Sequence, residues 1–151
     1  MKIPIIYKIF TKLLNLASHF ATRPVFSRFT NFLMRFFANL MYSLLRGKAK
    51  NDLKEIGLEW QRMFLVRELF PIKKIENNTL YAEIHQPCPL RGSGDVLACY
   101  KLMQYDRSLL KKIGGQLVVI RSQAEENVKI CQVLIRKKGA SIDDLKAAHE
   151  R

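Results

Sequence analysis

Residues 72–85 read IKKIENNTLYAEIH, and the fold turns on how this stretch is read. Two short runs, 72–76 and 79–85, flank Asn77-Asn78. Asparagine tolerates a positive φ, so the pair suits the tight turn of an antiparallel hairpin. In the second run Leu80, Ala82 and Ile84 share one strand face, while Tyr81, Glu83 and His85 share the other.

Working outward, residues 116–122 and 129–136 form a second predicted hairpin around 124–127, with Cys131, Val133 and Ile135 on one face. Between the hairpins, 94–113 has the apolar spacing of a helix that ends at Gly114-Gly115. Ahead of the first hairpin, 52–69 reads as a helix with Leu53, Ile56, Trp60, Met63 and Phe64 on one face, stopped by Pro71. Ser141, with Asp144 three residues on, resembles a cap opening a short C-terminal helix. The order α-β-β-α-β-β-α predicts an α+β fold over residues 52–151, a mostly antiparallel four-stranded sheet with helices on one face.

Residues 1–47 are of another kind, and the polar stretch GKAKN, 47–51, reads as a hinge between the two parts. Residues 3–20 predict a helix on which Lys8, Lys12, Asn15 and His19 form one polar stripe. Arg23-Pro24 breaks it, because a residue before proline avoids helical geometry. Residues 25–46 predict a second helix, with Arg28, Asn31, Arg35, Asn39 and Ser43 along its polar line and Phe26, Phe29, Phe32, Phe36 and Phe37 supplying an aromatic face.

Charge separates the parts further. The chain carries a net +13, of which residues 1–50 hold +9 with no Asp or Glu; the remainder has 17 basic and 13 acidic residues. Such a segment attracts polyanions. Between its charges lie Ile, Leu, Phe and Met rather than the polar residues of a nucleic-acid arm, so no nucleic-acid partner is expected. An anionic membrane surface suits it better, contacted by Lys8, Lys12, Arg28, Phe29, Phe32, Arg35 and Phe36 with the helices lying in plane. Spanning would place Arg35 near the bilayer centre at a cost of about 3 kcal/mol. The alternatives are that the two helices pack on the rest of the protein, on a membrane protein, or in a homo-oligomer, or that they form a re-entrant or spanning hairpin or an organelle-targeting segment.

Three cysteines, Cys88, Cys99 and Cys131, with no convincing secretory signal, imply free thiols in a reducing compartment. The expected place is therefore the cytoplasmic side of a membrane, as a peripheral protein. Chemistry concentrates in residues 85–106, HQPCPLRGSGDVLACYKLMQYD. A strand leads through Pro-Cys-Pro and Gly-Ser-Gly into a helix whose first N–H groups suit an anion. Arg91, Ser93, Gly94 and Cys99 are the candidate substrate-binding residues. Cys88 is the candidate nucleophile, its thiolate favoured by the helix start and Arg91. His85, Asp95 and Asp106 are the nearby proton-transfer candidates. The plainer alternative is that Asp95 or Ser93 caps the helix and the cysteines are buried structural thiols. The ten-residue gap between Cys88 and Cys99 is not the knuckle of a structural zinc site, so no metal is expected, and no cofactor motif is present in the sequence.

The Cys88-Pro89 loop before a helix, Cys99 within it, and Cys131 in KICQVLIR together resemble the L-2-amino-thiazoline-4-carboxylic acid hydrolase-like family, and the related small-molecule-binding domains of the 4-vinyl reductase type. The likeness covers roughly residues 52–138. It implies a pocket between sheet and helices and hydrolytic opening of a small, cyclic, amino-acid-like carboxylate. The expectation is thus a membrane-associated hydrolase-like protein. Its rivals are a non-catalytic membrane-docking module that binds a ligand or partner, and a thiol- or metal-responsive sensor.

Overall fold

A computed structural model describes residues 5–151. The sheet is four-stranded, antiparallel throughout and ordered β1-β2-β4-β3, with β1 Ile72–Glu76, β2 Thr79–Ile84, β3 Gly115–Arg121 and β4 Cys131–Lys137. Asn77 and Asn78 both adopt positive φ, 48° and 57°, as the β1–β2 turn demands. The central pair β2–β4 aligns Leu80 with Ile135, Ala82 with Val133 and Ile84 with Cys131. These side chains are buried and form the sheet's contribution to the core.

Helix α3, Leu53–Arg62, opens on Asp52, whose carboxylate accepts from the N–H groups of Lys54 and Glu55. It stops seven residues before the expected end at Leu69. The chain turns there so that Phe64 and Phe70 stack at 3.6 Å, each edge-on to Trp60. Aromatic packing therefore ends the helix before Pro71 does.

The expected single helix over 94–113 is two, α4 Val96–Leu102 and α5 Gln104–Ile113, broken at Met103. Arg107 secures the break by donating to the Tyr100 carbonyl at 2.6 Å. Gly114 ends α5 with φ 114°, in the left-handed region, where a Cβ would also strike the Lys50 carbonyl oxygen.

No α-helix forms after Ser141; the C-terminal segment is irregular apart from a 3-10 turn at Ala148–Glu150. The expected cap is engaged elsewhere. Arg136 takes the Asp144 carboxylate at 2.7 Å, and the Ser141 hydroxyl donates to Asp143.

The two N-terminal helices are present as α1, Ile5–Ala21, and α2, Ser27–Leu44, joined by a 3-10 turn at Pro24–Phe26. Ile3 and Pro4, at the start of the expected first helix, lie outside the described residues. Both helices lie against the sheet domain and share its core. Ala17, Ala21 and Ala38 are fully buried and Met34 nearly so. Small side chains at these positions let the helices approach α4 and α5 closely. Two polar ties reinforce the seam: the Tyr7 hydroxyl donates to Gln86 Oε1 at 2.8 Å, and Lys101 Nζ donates to the Ala21 carbonyl at 3.0 Å.

The stretch expected to act as a hinge is pinned as well. Arg62 donates to the carbonyls of Leu45 and Arg46, Glu59 accepts from Lys48 N–H, and Lys50 N–H reaches the Ile113 carbonyl. Buried Glu59 is held below the usual carboxylate range chiefly by its hydrogen bond to Arg62.

Candidate functional site

Packing α1 and α2 on the sheet domain leaves a cavity of about 80 Å3 between them. Its roof is Phe10, Leu13 and Leu14 from α1 and Met34 and Phe37 from α2. Phe64 and Phe70 close one side, and Leu102, Met103, Tyr105 and Asp106 from α4 and α5 another. The floor is Ile84, Gln86, Pro87, Cys88, Gln123 and Cys131, with Cys99 beside them. A smaller space of about 20 Å3 continues it along the seam between α1 and the 63–66 turn, sharing Phe10, Phe64, Phe70, Gln86 and Tyr105 and adding Tyr7.

All three cysteines line this cavity, delivered by a loop, a helix and a strand. They are free thiols. Burial pushes the Cys99 thiol up to about 12 and the Cys131 thiol to about 11. Cys88, half-buried, is also raised, mainly by burial; the Leu90 N–H bond to its sulfur and the Arg91 charge only partly offset this. The thiolate expected from a nearby arginine is therefore not favoured, because loss of water around the sulfur outweighs one partly exposed charge. Among the described residues no group of three or more His, Cys, Asp or Glu is arranged to hold a metal ion.

Arg91 is not part of the cavity lining. Its guanidinium donates to Gln123 Oε1 at 3.0 and 2.7 Å and to the Lys129 carbonyl at 2.9 Å. Asp95 caps α4 by accepting from Ala98 N–H at 2.8 Å, and Ser93 accepts from Asp95 N–H. Gly94 donates its N–H to the Ala124 carbonyl. His85 is exposed and pairs with Glu83 at 2.8 Å. The structure thus brings Cys88, Cys99 and Asp106 to one cavity and leaves His85, Arg91, Ser93, Gly94 and Asp95 outside its lining.

Two glutamines not anticipated from sequence organise the floor. Gln123 is fully buried. Its Oε1 accepts from Cys88 N–H and from Arg91, while its Nε2 donates to the carbonyls of Ile84 and Gln86. One amide thereby fixes the whole 84–91 loop. Gln86 is only 6% exposed; Tyr7 occupies its Oε1, and its Nε2 has no partner among the described residues. Strand parity carries no sign of either residue, since both lie just beyond strand ends where alternation stops.

Asp106, 7% exposed, accepts from the Trp60 indole N–H at 3.0 Å. Burial drives its carboxyl up to about 6, with the Trp60 bond and the neighbouring Arg107 opposing. Burial raises the Tyr105 hydroxyl as well.

The other side of the roof is bare. Phe29, Phe32, Phe36, Leu40 and Leu44 of α2 are 41–66% exposed, joined by Ile9 and Leu16 of α1. Lys8, Lys12, Arg28 and Arg35 stand exposed among them. Among the described residues no helix is long and apolar enough to cross a membrane.

The fold and cavity define a class, an α+β domain with an apolar chamber roofed by an added helical pair. Comparisons with protein-family models, with curated proteins and with solved structures found no match to the chain.

Proposed function

We propose that the protein is a non-catalytic small-molecule-binding domain held at an anionic membrane surface by the outer face of its N-terminal helices. The observation that carries this reading is the two-sidedness of the α1–α2 pair. One side, through Phe10, Leu14, Met34 and Phe37, closes the chamber. The opposite side presents Phe29, Phe32 and Phe36 with Arg28 and Arg35 and no acidic residue. Phenyl rings that enter the interfacial layer, flanked by cations that meet lipid phosphates, are the chemistry of an in-plane amphipathic anchor.

Full-length protein should sediment with vesicles of mixed phosphatidylserine and phosphatidylcholine at low salt, and much less with phosphatidylcholine alone or at high salt. Phe32→Ser combined with Phe36→Ser should weaken that binding at least about tenfold. Both rings are exposed, so thermal stability should hardly change. Equal indifference to both vesicle types would overturn the anchoring.

A hydrolytic reading has one observation in its favour, Cys88 in the chamber wall. Against it stand the raised thiol and the engagement of Arg91 with Gln123. Alkylation by iodoacetamide at pH 7 tests it. Cys88 should react more slowly than a free model thiol, and faster reaction would restore the nucleophile.

A further inference from the structure

The Gln86 amide is a polar side chain 94% withdrawn from solvent, with one end taken and the other free. Tyr7 from the roof donates to Oε1, which orients the amide and leaves Nε2 as a donor without an acceptor among the described residues. A buried donor in that state is costly unless something accepts from it. Gln86 itself lines the chamber, and no other described residue there answers the donor.

The rest of the lining constrains what would. Among the described residues no Lys, Arg or His lines the chamber, so a carboxylate or phosphate entering it would meet apolar surface and the Asp106 carboxyl without a counter-charge. Asp106 already accepts from Trp60 and has Arg107 as its charged neighbour. An amine guest therefore finds less to pair with than an open carboxylate would give. Most of the remaining wall is Leu, Phe, Met and Ile, and the adaptable Met34 and Met103 let it fit more than one shape. At about 80 Å3 the chamber is smaller than an apolar cavity of roughly 150 Å3 that binds benzene, so it holds a small molecule or one end of a longer one.

We propose that the chamber binds an uncharged apolar molecule through a carbonyl-type oxygen that accepts a hydrogen bond from Gln86 Nε2. This rests on the binding-domain reading and adds to it the ligand's chemical class and the residue that selects it. It departs from the carboxylate expected from sequence, since the anchor for a carboxylate, Arg91, is bound to Gln123 instead.

The test uses full-length protein and three probes of matched size, cyclopentanone, cyclopentane and cyclopentylamine, titrated while the indole N–H resonance of Trp60 is followed. Trp60 is the single tryptophan, fully buried and bonded to Asp106 in the chamber wall. The ratio of cyclopentanone to cyclopentane affinity should be about tenfold higher in the unaltered protein than in Gln86→Leu, the worth of one hydrogen bond to that donor once the ketone's lost hydration cancels between the two proteins. Gln86→Leu should keep cyclopentane binding. Tyr7→Phe, which removes the roof tie and leaves Nε2, should keep the ratio of the unaltered protein.

The same ketone-to-hydrocarbon ratio in the unaltered protein and in Gln86→Leu would overturn the proposal, and would mean that water alone meets Gln86. Tighter binding of the amine than of the ketone would also overturn it. If none of the three binds, the binding-domain reading itself fails, an outcome distinct from loss of the preference alone.

Discussion

The floor and the roof of the chamber are held by different physics. At the floor, Gln123 joins the 84–91 loop to the end of β3 through bonds to Cys88, Arg91, Ile84 and Gln86. Its own backbone is engaged too, since its N–H donates to Cys131 Sγ and its carbonyl accepts from Gly92. The roof rests mainly on alanine, methionine and phenylalanine contacts, with the polar ties Tyr7–Gln86 and Lys101–Ala21 on α1 and Arg62 on the carbonyls at the end of α2. Apolar contact is strong in sum and tolerant of sliding, whereas a satisfied buried amide allows one geometry. The floor therefore sets the shape of the chamber more firmly than the roof does.

The largest effect should come from Gln123→Ala. It strands the Cys88 N–H and the carbonyls of Ile84 and Gln86, and frees Arg91 from its main partner. Urea denaturation should show a loss of about 3–5 kcal/mol. A loss under about 1 kcal/mol would erase the contrast between floor and roof.

Next comes Asp106. A carboxyl raised from 3.8 to about 6 binds more protons in the folded state than in the unfolded state across that window. Stability from this group is thus greatest in acid, falls as pH rises from about 4 to about 6, and stays level above. The fall is about 3 kcal/mol at 1.36 kcal/mol per unit. Glu59 runs the opposite way, its stabilisation being lost as pH falls through the acidic range. Asp106→Asn keeps an acceptor for Trp60 and removes the titration. The difference between it and the unaltered protein, measured at pH 4, 5, 6 and 7, should therefore grow with pH and then plateau, with the variant more stable at pH 7. A constant difference would place the carboxyl at its ordinary value.

Tyr7→Phe removes one roof tie and should cost about 1 kcal/mol. Its sharper signature is local. Amide exchange in α1 should accelerate while that in β4 stays unchanged, because the roof opens without the sheet. Equal acceleration in both would mean that roof and floor unfold as one unit.

Most of the sheet was legible in the sequence for a local reason. Asn77-Asn78 and Gly114 each need a backbone conformation that few residues tolerate, and alternation in 79–85 and 129–136 reports which face is buried. The misjudged elements were decided by distant partners. Phe64 and Phe70 cut α3 short to reach Trp60, Arg107 secures the break at Met103, and Arg136 takes the carboxylate expected to help open a C-terminal helix. The site divided the same way. Cys88, Cys99 and Asp106 do line one chamber, but Arg91 turned to Gln123, and the two glutamines carried no periodic signal.

Composition and periodicity alone determine that this chain builds an antiparallel α+β sheet domain, and that it carries two oily, cationic helices in a fifty-residue segment without a single acid. Such properties belong to each segment by itself. Only the tertiary structure decided that one side of those helices roofs a chamber while the other stays bare, and that Gln86 in its wall has a donor that no described residue meets. Which face is buried, and which hydrogen bond is left unmade, depends on where residues far apart in the chain come to rest against one another.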